Sequence, residues 1–205
     1  MTIHKFIMRS FVNGQNTHEF IDALSTDAHE CAMRLFHFSE ENNIEVFMPR
    51  QVEVATPRAQ GQEWLNGPLV WAIDDWHAPM YLFPRDCPRI FVWPTASTTP
   101  EYLTAYKKMT TCRMVAHIEL AWLDRLSHTT IYRYELSPDG FESLDDAGMW
   151  VSRTPSMPLN MERIDNIEKA LEAAGVELRV LPSLKTLAPL WETSLHVSGI
   201  RLRNA

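Results

Sequence analysis

From residue 33 onward the chain reads as short apolar runs, each stopped by proline, glycine or a polar cluster, with few long helical stripes. Residues 34–38, 69–73, 89–93, 114–118 and 176–181 have the length and content of strands. Residues 44–47 form a further extended piece stopped by Pro49, and residues 148–152 and 199–203 are the remaining strand candidates. Residues 130–136 alternate, which places Tyr132, Tyr134 and Leu136 on one face. Helical signals are fewer. Asp75 is positioned to cap a short helix reaching about Phe83, with Pro79 in its first turn, where the missing N–H costs little. Thr99-Pro100-Glu101 opens a helix with Leu103, Tyr106 and Met109 along one face. Residues 120–126 form a short helix. Asn160 is placed to cap a longer one whose stripe is Ile164, Ile167, Ala170, Leu171 and Ala174, ended by Gly175. Residues 183–195 read as helical except near Pro189.

Two stretches depart from this pattern. Residues 51–68, with Pro57, Gly61, Gly67 and Pro68, read as one long loop, of the kind that is often functional. Residues 1–32 are polar and turn-like apart from a short helix over residues 19–24, so they are expected to form a loosely ordered arm. The expected organisation is that arm followed by one α+β domain over residues 33–205, with a bent or split, mainly antiparallel sheet and short helices.

Composition narrows the class. With 205 residues, 45% hydrophobic and 22% charged, the chain is globular and long enough for one well-buried core. The net charge of −7 argues against a general nucleic-acid surface, which needs a basic stripe. Cys31, Cys87 and Cys112 form no CxxC pair and fit a reducing compartment. With no apolar run of membrane-spanning length and no secretory pattern at residues 1–10, a cytoplasmic location is expected. Seven tryptophans supply both core volume and walls for a flat ligand.

Chemistry concentrates near two strands. His37 sits between Phe36 and Phe38, with Ser39 on its side of the strand. Trp71, Asp74, Asp75, His77 and Tyr81 follow on and after the strand at residues 69–73. Each has a structural reading as well: a core histidine, a core indole, a helix cap, a packed phenol. Asp74, Asp75 and His77 are also oxygen and imidazole donors, but HExxH is absent, and no metal site is assigned. No GxSxG accompanies Ser39, and the cysteines have no evident activating partner.

Residues 35–50, 70–94, 150–152 and 200–205 resemble an uncharacterised bacterial family of unknown function, which implies a shared fold and no particular activity. The order of a first-strand His, an aromatic-Ala-x-Asp strand and a following Tyr also resembles the ADP-ribosyltransferase superfamily. That resemblance implies NAD as co-substrate, with His37 bonding the nicotinamide-side ribose and Trp71 and Tyr81 enclosing the nicotinamide. The superfamily's late-strand Glu, which steadies the oxocarbenium ion, has no match on the strand at residues 150–152. Asp145 and Asp146 stand just before it as the candidate carboxylates, with His37 and Tyr81 completing the catalytic set. Arg50, Arg85 and Arg89 are candidates for the pyrophosphate, and Ser39 and Asp74 complete the cofactor-binding set. The alternative is a catalytically silent module that binds a small ligand or a protein. The acceptor is left open by either reading.

Overall fold

The computed structural model describes residues 33–52, 54–55 and 57–205; the expectations for residues 1–32 lie outside the described residues. Among the described residues, ten strands form two sheets. The larger is built from β1 (Leu35–Ser39), β2 (Val70–Asp74), β5 (Ile131–Leu136), β6 (Glu142–Ser143), β7 (Met149–Ser152) and β8 (Pro158–Ile164), in the order β6-β7-β2-β1-β5-β8, antiparallel throughout. The smaller contains β3 (Arg89–Trp93), β4 (Met114–Glu119), β9 (Val176–Leu181) and β10 (His196–Ile200), in the order β10-β3-β4-β9. Only β4 and β9 run parallel there. The α+β class and the split, mainly antiparallel sheet follow from this topology. Three α-helices among the described residues accompany the sheets: α1 (Pro100–Met109), α2 (Leu123–His128) and α3 (Ile167–Ala173).

The main core lies between the sheets. Phe36 and Ile73 from the larger sheet meet Phe91, Trp93, Met114, Ala116 and Ile118 from the smaller, with Leu126 of α2 and Ile167 and Leu171 of α3 filling beside them. Period-two alternation sends the neighbouring residues outward into separate clusters. Ile90, Val92 and Val115 pack under Tyr106 of α1 and Leu184, so all five residues of β3 are buried. On the outer face of the larger sheet, Leu35, Val70, Ala72, Tyr134 and Leu136 lie under Phe47 and Phe141. Each such large side chain contributes about 1.5–3 kcal/mol by leaving water. The Tyr134 hydroxyl donates to the Glu41 carbonyl at 2.7 Å, tying the segment after β1 to this face.

Several local readings need correction. Residues 44–47 make one isolated bridge, Phe47 to Ser156, and no strand. Arg50 and Leu69 bridge the two ends of the long loop, which holds a 3-10 turn at Glu63–Asn66. Past β2 the chain makes a single 3-10 turn, Ala78–Tyr81, in place of a helix to residue 83. The carboxylate that takes up a backbone N–H there belongs to Asp74, not Asp75, and accepts from His77 N at 2.8 Å. Residues 158–164 are strand β8, held by pairing with β5. The helix that follows is capped by Asn166, whose side chain accepts from Lys169 N, and not by Asn160. Met109, expected on the buried face of α1, is 45% exposed. The last strand ends at Ile200, and Arg201 turns left-handed (φ 56°) into a 3-10 turn, Leu202–Asn204. On β8, the last strand of the larger sheet among the described residues, Leu159 and Met161 are exposed while Glu162 pairs with Arg133 and Arg163 with Asp165. No helix among the described residues is long and apolar enough to cross a membrane.

Candidate functional site

The site begins where β1 and β2 part. Their register holds at Leu35–Asp74 and Phe36–Ile73, whereas β1 keeps its pairing with β5 through Ser39–Tyr132. Beyond Phe36 the seam between β1 and β2 therefore opens. The His37 ring spans it, with Nδ1 2.8 Å from the Trp71 carbonyl oxygen. A cavity of about 530 Å³ enters this seam, a size suited to a small organic ligand.

Its walls come from both sheet faces. Alternation puts Leu35, His37 and Ser39 on the outer face, where the His37 ring packs 4.6 Å from Phe47. Phe36 and Phe38 lie on the inner face, and Trp71 and Ile73 share it through the Phe36–Ile73 pair. Tyr81, delivered by the 3-10 turn after β2, joins them there, its ring 6.4 Å from Phe38 and its hydroxyl donating to Met149 Sδ at 3.4 Å. Thus His37 reaches the cavity from one face and Trp71 and Tyr81 from the other, and only the parted seam lets one cavity touch all three. Trp71 also packs against Leu65, Leu69 and Val151, so its indole serves as a wall anchored in apolar neighbours.

The protonation state of His37 follows from its partner. A carbonyl oxygen only accepts, so Nδ1 carries the proton and Nε2 of the neutral ring is an acceptor. Burial lowers the His37 pKa; the bond to Trp71 opposes this, and Arg85 and Arg50 lower it further. The ring is therefore neutral near pH 7. Burial raises the Tyr81 pKa, against the pull of Arg89 and Arg201, with Asp146 adding to the rise, so its phenol stays protonated.

Of the residues singled out in the sequence, His37, Ser39, Arg50, Trp71, Tyr81, Arg85 and Arg89 line the cavity. Asp74, Asp145 and Asp146 do not line it. Asp74 engages His77, whose Nδ1 is 2.8 Å from Oδ1 and 3.0 Å from Oδ2. Burial pushes the Asp74 carboxyl up, but the side-chain and backbone bonds from His77 outweigh it and the net pKa is lowered. Asp145 and Asp146 are exposed on the turn before β7, where Asp145, Ala147 and Gly148 all have positive φ (52°, 44° and 71°). Asp145 accepts from Ser143 Oγ at 3.1 Å. Asp146 is close enough to act electrostatically on Tyr81 and His196.

Arg89 is 2% exposed at the start of β3. Its Nε donates to Met80 O at 2.7 Å and its Nη1 to Cys87 O at 2.9 Å. Four charged lining residues escaped the sequence reading: Glu40 and Glu41 just past β1, and Arg201 and Arg203 after β10. Glu40 is engaged, accepting from Arg85 N at 2.7 Å and lying 3.7 Å from Arg125. Arg201 and Arg203 lie past the end of β10, the first in left-handed backbone and the second in the 3-10 turn, so strand alternation in the sequence did not mark them as a pair. Among the described residues, no group of three or more His, Cys, Asp or Glu side chains gathers to hold a metal ion.

A family model, DUF6886, described as a family of unknown function, matches residues 36–205. No curated protein and no solved structure matches the chain.

Proposed function

We propose that this chain, which belongs to DUF6886, binds a nucleotide of the NAD type in the cavity between β1 and β2. One observation carries the reading: a neutral imidazole, an indole and a phenol meet a single cavity of about 530 Å³ whose rim and floor are rich in arginine. Trp71 and Tyr81 offer flat walls for an aromatic ring, and His37 Nε2 is an acceptor for a ribose hydroxyl. Arg50 and Arg85 at the rim supply positive charge for the phosphates. Cys87 and Cys112 are free thiols, which fits a reducing compartment, and a cytoplasmic location goes with this reading.

The reaction attached to this site is ADP-ribosyl transfer. The C1′–N bond of the nicotinamide ribose breaks, and its electron pair stays on the ring nitrogen. A nucleophile from the acceptor then bonds C1′ and gives up its proton to solvent or a nearby base. The protein's share is to hold the two ends apart from bulk water and to place negative charge near C1′. Asp146 is the carboxylate assigned to that task, through its proximity to Tyr81.

A second reading, a silent binding module, is favoured by one specific fact: Asp145 and Asp146 stand outside the cavity lining, and Glu40 within it is already engaged. Calorimetry with NAD tests the binding claim common to both readings, and absence of heat at millimolar ligand removes it. Chromatographic detection of released nicotinamide separates the two: release supports transfer, and binding without release supports the silent module.

A further inference from the structure

Arg89 poses an electrostatic problem that the fold leaves unsolved. Its guanidinium is almost wholly buried, yet its polar partners are two carbonyl oxygens, and its other neighbours are the ring faces of Tyr81 and Phe83 at 5.5 and 5.3 Å. Among the described residues no carboxylate pairs with it. A buried charge held without a counter-charge carries a large desolvation cost. Here burial brings its pKa down to about 10. Among the described residues Nη2 donates to no protein atom and no sealed side-chain N or O atom lacks a partner, so Nη2 opens onto the cavity that Arg89 lines.

A second guanidinium lies near it. Arg201 lines the same cavity, makes no ion pair among the described residues, and is close enough to act electrostatically on both Arg89 and Tyr81. Its left-handed backbone (φ 56°) is uncommon for a side chain of this kind. Two like charges facing one cavity repel each other unless an anion sits between them.

We infer that Arg89 and Arg201, with the Tyr81 hydroxyl beside them, form a phosphoryl-binding subsite. A dianionic phosphoryl group matches two guanidiniums in charge, which a single carboxylate does not, and it offers each a forked set of acceptor oxygens. The subsite moves the main anion contact away from the rim residues Arg50 and Arg85 and gives a role to the segment after β10. That the phosphoryl group belongs to a dinucleotide rests on the function proposed above; the subsite itself does not.

The test is calorimetric titration of the full chain with inorganic phosphate, pyrophosphate, AMP and NAD at low and high salt, for the wild type, Arg201→Gly, Arg201→Lys and Lys169→Gln. Glycine adopts the left-handed backbone freely, so Arg201→Gly removes the guanidinium without straining the turn. Pyrophosphate is expected to bind the wild type and Lys169→Gln alike, to lose affinity at least about tenfold in Arg201→Gly, and to recover partly in Arg201→Lys. Equal pyrophosphate affinity in Arg201→Gly overturns the subsite, as does an absence of binding by every phosphate compound. Binding of pyrophosphate lost in Arg201→Gly, with no binding of NAD, keeps the subsite and removes the dinucleotide reading. NAD binding unchanged by Arg201→Gly keeps that reading and removes the subsite.

Discussion

Replacing Gly148 with alanine loads two costs onto one position. Gly148 has φ 71°, and a Cβ built there would lie 2.2 Å from His77 Nδ1 and 2.6 Å from Asp74 Oδ2. Left-handed backbone costs a non-glycine residue roughly 1–2 kcal/mol. The clash cannot be relieved by a flexible tip, because His77 and Asp74 are locked to each other through Nδ1–Oδ1 at 2.8 Å and through the His77 backbone N–H. Parting them forfeits a bond to a charged group, about 1.5–3 kcal/mol. The sum, about 2.5–5 kcal/mol, is a large share of the stability of a typical domain. In urea, with a slope of about 2 kcal/mol/M, the midpoint should fall by about 1.3–2.5 M. Gly61→Ala is the control, since Gly61 has φ 84° but nothing within 4 Å of an added Cβ. It should lose no more than the backbone cost, about 1–2 kcal/mol. The near-ultraviolet spectrum should change only in Gly148→Ala, because Trp76 lies 4.5 Å from the His77 ring and 6.0 Å from Trp93. A Gly148→Ala midpoint no lower than that of Gly61→Ala would refute the reasoning.

Stability should also respond to mild acid. Burial lowers the pKa of His37, His117 and His196 below 6.5, so the unfolded chain takes up protons first as the pH falls. Their contribution is complete above pH 6.5 and is lost as the pH drops from there through the folded-state values, by at most about 1.4 kcal/mol per pH unit for each histidine. Denaturant midpoints that stay flat from pH 7 down to about 5 would contradict this. Tyr134→Phe, which removes the 2.7 Å bond to Glu41 O, should cost about 1–2 kcal/mol in the same unfolding assay, and an unchanged midpoint would show that the bond is not needed. Under the transfer reading, Asp146→Asn should cut nicotinamide release by about a hundredfold while calorimetric NAD affinity stays close to wild type; equal release would exclude Asp146 as the stabilising carboxylate.

The sequence revealed most where a residue's surroundings were local. Residues 89–93 read as a strand because an apolar run ended by Pro94 has few other uses, and β3 occupies those positions. Gly175, with φ 69°, ends α3 as its position implied. Residues 158–164 misled because an open-edge strand need not alternate: five consecutive residues of β8 are exposed, so no period-two pattern exists to find. The helical stripe from Ile167 to Ala174 then extended backward over them. At the site, His37, Trp71 and Tyr81 were legible as residue types on adjacent segments. The parting of β1 from β2 was not, because it depends on β5 retaining β1, a partner some hundred residues away. Arg201 was hidden for the same reason, since β10 carries it back beside Arg89 only through pairing with β3.

Among the described residues the larger sheet ends at β8, a rim where Asn160 Oδ1 accepts from Met161 N at 2.8 Å and Leu159 is 67% exposed. Such a rim invites a stranger's strand to extend it. Glu162 and Arg163 stand on that border already matched to Arg133 and Asp165, so an intruding chain would have to strip hydration from two ionic couples before gaining any backbone contact. Charged pairs beside an exposed apolar strand thus raise the cost of edge-to-edge pairing.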